Sequence, residues 1–265
     1  MEPVETAPQG APVYYARYGR GPEVYVALHG WSGSHRTFAP LLRYLPERIS
    51  LYTFDQPSYG RSAPPAEWTL DGLVDPIAQS IESLGLGRYA LIGMCSGAIL
   101  AQRLAQRDPE RIERLVLIDP FFYAPWYFAI FTWGWLGRLF YYSTFANPIG
   151  RWLTNRALAK RRADGTDLTS GFDGVDHESA LRYLTALVRA DVGSQDRLRA
   201  LSRVTELLVG EFTFGAVRRS VAGWQATYWP EAPIRVLAGA GHLPIIEATE
   251  AAASALFGPR QSHGR

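Results

Sequence analysis

Cysteine and lysine are almost missing from this 265-residue chain, since Cys95 is its one cysteine and Lys160 its one lysine. A single cysteine excludes an internal disulfide and any metal site built from several cysteines, so folding should not depend on an oxidising compartment. The net charge is only +2. Because no basic stripe or recognition motif accompanies this charge, we expect no nucleic-acid partner. We also expect no metal ion and no cofactor.

The sequence also lacks the marks of a secretory signal. Residues 1–12 are acidic and rich in proline, whereas a signal peptide has a basic start followed by an apolar run. We therefore expect a cytoplasmic protein. With 47% hydrophobic and 20% charged residues, the chain is long enough for one large α/β domain that carries an inserted subdomain.

Residues 91–100 predict a buried strand, a sharp turn and the start of a helix. Gly93 and Gly97 lie two residues before and two residues after Cys95. A sharp strand-to-helix turn needs small residues at these positions, because the central residue has a strained backbone and larger neighbours would collide. The spacing places Cys95 at the apex of the turn and Ser96 at the start of the helix. The alternative is a buried cysteine that only fills space.

Strand-like and helix-like runs alternate along most of the chain. Residues 13–18 and 23–28 are rich in β-branched and aromatic residues, and the segment 19–22 (GRGP) between them predicts a hairpin. The sheet should therefore begin antiparallel. Further strands are predicted at 49–54, 114–118, 205–209 and 233–238, and helices at 38–45, 70–84, 98–106, 178–189 and 216–227. The alternation predicts a mostly parallel sheet flanked by helices, with catalytic groups at the C-terminal ends of its strands.

Four motifs next to these strands carry a family resemblance. In chain order they are His29-Gly30-Trp31-Ser32-Gly33, the segment 55–62 (DQPSYGRS), Gly93-Met94-Cys95-Ser96-Gly97 and Gly239-Ala240-Gly241-His242-Leu243-Pro244. They resemble the oxyanion loop, a structural turn, the nucleophile elbow and the histidine loop of the α/β-hydrolase family, with cysteine where most members have serine. The resemblance covers nearly the whole chain outside residues 121–204, and it implies the α/β-hydrolase fold.

The resemblance also implies roles for individual residues. Cys95 would be the nucleophile and His242 the general base, while the backbone N–H groups of Trp31 and Ser96 would form the oxyanion hole. A serine nucleophile is replaced by cysteine in some relatives that act as dienelactone hydrolases, thioesterases or polyester synthases. The acceptor of the acyl group therefore need not be water.

Three other polar residues near these motifs are expected to be structural. The ring of His29 should hydrogen-bond to the oxyanion loop and orient its N–H groups. Asp55 precedes the nucleophile, which breaks the family order of nucleophile, acid and histidine, so we interpret it as a turn residue. His35 is expected to be a solvated residue at the start of a helix.

The acidic member of the catalytic group departs from the family pattern. The family usually has its aspartate where this chain has Thr213, and the nearby Glu211 matches a second, non-catalytic acid. Asp119 follows the strand at 114–118, and some relatives, such as haloalkane dehalogenases, place their acid there. We predict that Asp119 orients His242. Glu211, or no acid at all, remains the alternative.

An aromatic segment interrupts the alternation of strands and helices after Asp119. About half of residues 121–145 are aromatic, and none is charged before Arg138. Pro125, Gly134 and Gly137 interrupt this segment, so it does not predict a membrane span. Because α/β-hydrolases carry an insertion at this place, we assign residues 121–204 to a helical cap. The aromatic residues expected to bind substrate there are Phe121, Phe122, Trp126, Trp133 and Trp135.

The predicted organisation is a hydrolase core at 1–120, a cap at 121–204, the rest of the core at 205–258 and a disordered tail at 259–265. We predict an acyl-transfer enzyme, an ester or thioester hydrolase or an acyltransferase, that forms a thioester on Cys95. Its expected partner is a hydrophobic small-molecule or carrier-bound acyl substrate. The alternative is a catalytically weak or inactive ligand-binding protein. A dehalogenase or epoxide hydrolase would need aspartate in place of Cys95.

Two interpretations of the aromatic cap remain open. It could make a peripheral contact with a membrane, since Arg156, Lys160, Arg161 and Arg162 follow it and could meet anionic headgroups. The aromatic residues could instead form the core of the cap or a dimer contact, and the four basic residues could be a solvated helix face.

Overall fold

An eight-stranded sheet forms the centre of the computed structural model, which describes residues 1–190 and 196–258. The predicted tail at 259–265 lies outside the described residues. The strands are β1 (Glu5–Thr6), β2 (Tyr15–Tyr18), β3 (Glu23–Leu28), β4 (Ile49–Phe54), β5 (Tyr89–Met94), β6 (Ile112–Ile118), β7 (Thr205–Gly210) and β8 (Ile234–Leu237). Their spatial order is β1-β2-β4-β3-β5-β6-β7-β8, and the strands from β3 to β8 are parallel. The expected mostly parallel sheet is confirmed.

The predicted hairpin between β2 and β3 is wrong. Strand β2 is antiparallel, but it pairs with β4, and β4 lies between β2 and β3. The two glycines of the connection are needed for a different reason. A Cβ atom at Gly19 would lie 2.2 Å from the carbonyl oxygen of Ile49, and one at Gly21 would lie 1.8 Å from the carbonyl carbon of Arg48. The connection therefore packs against the start of β4 as it passes to the middle of the sheet.

Helices cover both faces of the sheet. The α-helices are α1 (Leu70–Ser83), α2 (Gly97–Arg107), α3 (Gly134–Tyr141), α4 (Pro148–Ala157), α5 (His177–Val188), α6 (Asp196–Arg199), α7 (Gly215–Tyr228), α8 (Pro244–Glu247) and α9 (Thr249–Phe257). Short 3₁₀ helices lie at His35–Tyr44, Pro109–Arg111, Trp126–Thr132, Ala159–Arg161, Ser170–Phe172 and Ser202–Val204, and a π-helical turn at Tyr142–Ala146. Along β3, Val26 and Leu28 pack into one core layer, and Tyr25 and Ala27 into the other, because successive side chains of a strand point to opposite faces.

The insert, which we define as residues 121–204, joins β6 to β7 and contains α3 to α6. It has a small aromatic core of its own, in which Tyr141, Phe145 and Phe172 are buried. Trp31 of the first core segment packs against this cluster, so the insert rests directly on the loop after β3. Within the described residues, every helix is too short or too polar to cross a membrane.

Candidate active site

Cys95 lies at the apex of a strained turn between β5 and α2. Its φ angle is 53°, a left-handed conformation that a residue with a side chain rarely adopts. The flanking glycines make the turn possible. A Cβ atom at Gly93 would lie 2.8 Å from the Cβ of Ala101, and one at Gly97 would lie 2.2 Å from the carbonyl oxygen of His29. The predicted spacing thus has a direct steric cause.

The thiol of Cys95 is joined to two residues far away in the sequence. Its Sγ lies 3.2 Å from Nε2 of His242, and Nδ1 of the same ring hydrogen-bonds to Oδ2 of Asp119. The three side chains thus form a continuous chain of contacts at the C-terminal end of the sheet. Ser96 is buried, but among the described residues its hydroxyl forms no hydrogen bond with His242.

Asp119 is held by the neighbouring strand β7 and the turn that follows it. The residue is fully buried with a φ of 45°, and its N–H donates to the carbonyl oxygen of Leu208 at 2.7 Å. Oδ1 accepts a hydrogen bond from the N–H of Gly210 at 3.0 Å, and Oδ2 accepts one from the hydroxyl of Thr213. Thr213, at the usual acid position of the family, therefore supports the carboxylate of Asp119. Glu211 instead accepts from the N–H of Gly239.

The electrostatic environment favours a protonated His242. Burial lowers the pKa of the ring, but the negative charges of Cys95 and Asp119 and the hydrogen bonds to both residues outweigh it. The pKa of His242 is therefore raised well above its usual 6.5. A raised pKa favours the imidazolium form of His242, whose positive charge would stabilise a thiolate on Cys95.

Two backbone N–H groups near the thiol are candidates for the oxyanion hole. In the described part of the chain, the backbone N–H groups of Trp31 and Ser96 have no hydrogen-bond acceptor. The loop after β3 passes close to the thiol, because a Cβ atom at Gly30 would lie 3.4 Å from Sγ of Cys95. Donors in this arrangement suit a negative charge that develops on a substrate oxygen.

His29 holds the loop that carries Trp31. Its Nδ1–H donates to the carbonyl oxygen of Gly30 at 2.7 Å, and its Nε2 accepts from the N–H of Gln56 at 3.1 Å. This bonding needs a neutral ring, and burial lowers the pKa of His29 to about 4. The hydroxyl of Tyr183 in α5 donates to the side chain of Gln56, so the insert is also tied to this loop. The contacts agree with the structural role expected for His29.

The neutral His29 should make the stability of the protein depend on pH. Its pKa falls from 6.5 in the unfolded chain to about 4 in the folded protein, so the unfolded state binds more protons between these values. Stability is therefore lost as the pH falls, by about 2 kcal/mol through this residue between pH 7 and about pH 5. Urea unfolding of the wild type and of His29→Asn at both pH values measures the effect. The variant should lose clearly less stability, and equal losses would contradict the assignment.

His35 is not the solvated residue that the sequence predicted. It is buried, and its Nδ1 lies 2.9 Å from Oδ1 of Asp55, which also accepts from the N–H of His35. Oδ2 of Asp55 accepts from the N–H of Arg61 at 2.9 Å, which closes the turn after β4. The aspartate is fully buried and needs this partner. Asp55 thus has the structural turn role that was expected.

Aromatic side chains surround the candidate catalytic residues. Phe121 and Phe214 lie next to the ring of His242, with centroid distances of 5.4 and 4.7 Å. Burial raises the pKa of Tyr127, and the charge of Cys95 raises it further. Among the other aromatic residues predicted to bind substrate, Phe122 is buried and stacks on Trp224.

The three predicted tryptophans lie elsewhere. Trp126, Trp133 and Trp135 are 80%, 67% and 74% exposed. Their side chains therefore face solvent, and the structure brings only Phe121 of the predicted substrate-binding residues to His242.

The sequence analysis missed Glu247, which fixes the loop of His242. Its carboxylate accepts hydrogen bonds from the N–H groups of Gly241 and Leu243 at 2.7 and 3.0 Å, on either side of the histidine. It also accepts one from the N–H of Ala163 in the insert at 2.7 Å. The sequence feature that could have identified Glu247 is its place in the first turn of a short helix. A carboxylate there can accept from free backbone N–H groups.

A comparison with protein families agrees with this architecture. The model described as the alpha/beta hydrolase fold matches residues 26–176, which is more than half of the chain. The matched part contains β4, β5 and β6, the turn with Cys95 and the strand end with Asp119.

Two curated relatives are similar over a shorter stretch. Lipase LipV of Mycobacterium tuberculosis is 33% identical over 109 residues, and the match covers 41% of each chain. The pimeloyl-[acyl-carrier protein] methyl ester esterase of Nitrosomonas europaea is 33% identical over 108 residues, again with 41% of each chain covered. The matches therefore span less than half the length of these relatives.

A solved structure is similar over the whole chain. A thermophilic esterase from Thermogutta terrifontis, with malate bound, superposes with a TM-score of 0.74. The match covers 97% of both chains at 18% sequence identity. At this identity the likeness is one of fold.

Proposed function

The chain belongs to the α/β-hydrolase family, and we propose that it is an acyl-transfer enzyme that forms a thioester on Cys95. It would be an ester or thioester hydrolase, or an acyltransferase, with a hydrophobic acyl substrate. One observation carries the proposal. The only thiol of the chain stands at the apex of the elbow turn, with its Sγ 3.2 Å from Nε2 of a histidine whose other nitrogen is bonded to a carboxylate.

The first half-reaction forms the thioester. The Cys95 thiolate attacks the carbonyl carbon of the substrate, and the new C–S bond pushes the carbonyl electrons onto oxygen. The N–H groups of Trp31 and Ser96 hydrogen-bond to this oxyanion. When the tetrahedral intermediate collapses, the protonated Nε2 of His242 gives its proton to the departing alkoxide or thiolate.

The second half-reaction releases the acyl group. Neutral His242 takes a proton from water or from another hydroxyl acceptor, which attacks the thioester carbonyl. Collapse of the second intermediate returns the electron pair of the C–S bond to sulfur and restores the thiolate and imidazolium. Asp119 keeps the ring oriented and stabilises its positive charge in both halves.

Two observations favour a hydrophobic acyl group. The aromatic rings of Phe121 and Phe214 lie next to the ring of His242. Burial of an alkyl chain against such rings gains about 25 cal/mol per Å² of apolar surface. The name of one relative specifies a methyl ester on an acyl-carrier protein, so a carrier-bound acyl group is a reasonable substrate for this chain as well.

The proposal predicts a covalent adduct on Cys95. Mixing the protein with decanoyl or acetyl N-acetylcysteamine thioester and measuring the intact mass within seconds should show one added acyl group. The decanoyl adduct should form faster, because its chain buries more apolar surface. The Cys95→Ala variant should stay unmodified, whereas Ser96→Ala should be acylated like the wild type.

An inactive ligand-binding protein would behave differently. It would bind the decanoyl compound, and a shift in its melting temperature would show this, but it would gain no mass and release no thiol. That result would reject the acyl-transfer proposal.

A further inference from the structure

Helix α4 is packed with its large apolar residues on the outside. Ile149, Trp152 and Leu153 are all exposed, and their spacing places them on one side of the helix. Gly150 lies away from this side and allows a close contact with the chain before the helix. A Cβ atom at Gly150 would lie 1.7 Å from the carbonyl oxygen of Ser143, so only glycine allows this close contact. The usual amphipathic arrangement, with the apolar side towards the core, is reversed.

Helix α3 has the same inverted arrangement. Gly137 faces inward, where a Cβ atom would lie 2.6 Å from the carbonyl oxygen of Ile130. Arg138 is exposed, and the large apolar residues that are exposed form one side of the helix: Trp135, Leu136, Leu139 and Phe140. We call the exposed apolar residues of α3 and α4 the outer stripes. Apolar surface of this extent is costly in water and marks an interaction site.

The chain segment that carries the outer stripes has charged residues of one sign only. Residues 120–163 contain six basic residues and no acidic residue. Arg138 and Arg151 pair with Glu178 and Asp173 from outside this range. The other four form no ion pair with a described residue, and they follow the apolar stripe of α4: Arg156, Lys160, Arg161 and Arg162.

From this combination we propose that the outer stripes dock on an anionic lipid bilayer. Tryptophan is favoured at the boundary between hydrocarbon and headgroups, where its ring can be buried while its N–H stays hydrated. Helices that lie in this boundary have apolar residues on one side and basic residues next to them. Trp135 and Trp152 would enter the boundary, and Arg156 and Lys160 would meet the anionic headgroups.

A second copy of the chain fits this surface less well. In a two-fold contact the same surface meets itself, so the basic residues beside α4, which form no ion pair within the described chain, would approach their own counterparts. An anionic bilayer instead neutralises them, and each basic residue near such a surface contributes favourably. The charge pattern thus selects the bilayer.

The outer stripes belong to the insert that contacts the candidate active site, so docking would bring that site close to the membrane. The 3₁₀ helix at Trp126–Thr132 precedes α3. Its first residue faces solvent, while Phe128 contacts Phe121, which lies next to the ring of His242. Arg161, beyond α4, accepts a hydrogen bond through its carbonyl oxygen from the N–H of His242 at 3.1 Å. A docked insert would therefore hold the catalytic side of the molecule close to the lipid.

Sedimentation with lipid vesicles tests the proposal on the full chain without any substrate. Vesicles of phosphatidylcholine with about 30% phosphatidylglycerol should bind the protein at least about tenfold more tightly than phosphatidylcholine alone, and added salt should weaken binding. Trp135→Ser with Trp152→Ser should reduce binding about tenfold or more. Arg156→Gln with Lys160→Gln should reduce it by about thirtyfold.

Matched variants separate docking from general effects. Arg20→Gln with Arg36→Gln removes the same charge from another surface, and Val236→Ser removes an exposed apolar residue from β8. Both should bind like the wild type, as should Cys95→Ala, because docking does not depend on the chemistry of the thiol. Unchanged binding in the Trp135 and Trp152 variant would overturn the proposal. So would a vesicle-independent dimer that the same variant dissociates, since the stripes would then be a subunit interface.

Discussion

Replacing Cys95 with alanine is expected to lower kcat/KM for a p-nitrophenyl ester by about a thousandfold or more. The thiol is the only group within hydrogen-bonding distance of the Nε2 atom of His242 in the described chain, and without it no covalent intermediate can form. The fold should tolerate the change. Alanine is smaller than cysteine, and it keeps the same neighbours in the strained turn.

Ser96→Ala is the matched control for this prediction. Ser96 precedes α2 and has a right-handed φ of −68°, and its backbone N–H is unaffected by the substitution. We expect kcat/KM within about tenfold of the wild type, because only the backbone of this residue is proposed to contact the oxyanion. Iodoacetamide should inactivate the wild type and Ser96→Ala at similar rates. The nucleophile assignment fails if Cys95→Ala retains activity while Ser96→Ala loses it.

The elbow shows why part of this site was predictable from sequence. Gly93 and Gly97 are required by contacts of 2.8 and 2.2 Å that any Cβ atom would make, and both contacts are consequences of the local turn. A local steric requirement leaves a fixed spacing in the sequence. The loop of His242 could be recognised for the same reason, since a Cβ atom at Gly241 would lie 2.1 Å from the carbonyl oxygen of Arg161.

The features that were missed depend on contacts between distant parts of the chain. Local turn residues between β2 and β3 indicated a hairpin, but strand β4 enters between them from about 30 residues further along the chain. His35 is buried against residues distant in the sequence, the carboxylate of Asp55 and the ring of Tyr14. Trp133 and Trp135 stay exposed, while α3 packs inward through Gly137 and Tyr141. A hydrophobic pattern shows which side of a helix is apolar, but not which way that side faces.

The acid of the site could be predicted only in part from the sequence. The sequence placed Asp119 and His242 at strand ends on one edge of the sheet, and Glu211 remained an alternative. The hydrogen bonds separate the two acids: Asp119 contacts the ring, while Glu211 accepts from the N–H of Gly239. Thr213 could not have been assigned its present contact from sequence, because its role exists only beside Asp119.

The second large effect is expected from Asp119→Asn, which should lower kcat/KM at pH 7.5 by about a hundredfold or more. An amide has the shape of a carboxylate and can still accept from the N–H of Gly210, so the strand ends should stay in place. It cannot stabilise the positive charge on His242. Loss of the Asp119 charge should also lower the pKa of the ring, because this charge is one of the causes that raise it.

The pH profile distinguishes this role from a structural one. With a lower pKa for His242, the ion pair with Cys95 breaks up at a lower pH, so the alkaline limb of the kcat/KM profile should move towards neutral pH. The alkylation rate of Cys95 by iodoacetamide at neutral pH should fall in parallel, because less thiolate is present. Glu211→Gln removes a neighbouring charge without touching the ring and should leave both measurements within about twofold of the wild type.

A rescue variant gives a further test of Asp119 as the acid of the site. The hydroxyl of Thr213 bonds to the same Oδ2 atom of Asp119 that contacts the His242 ring. A carboxylate in place of Thr213 would therefore approach the ring from the position at which the family usually has its aspartate. In the Asp119→Asn background, Thr213→Asp should therefore recover about tenfold of the lost kcat/KM and move the alkaline limb back to higher pH. If Asp119→Asn keeps full activity while Glu211→Gln loses it, the acid of the site is Glu211, and the hydrogen bond that the His242 ring donates to Asp119 serves only the fold.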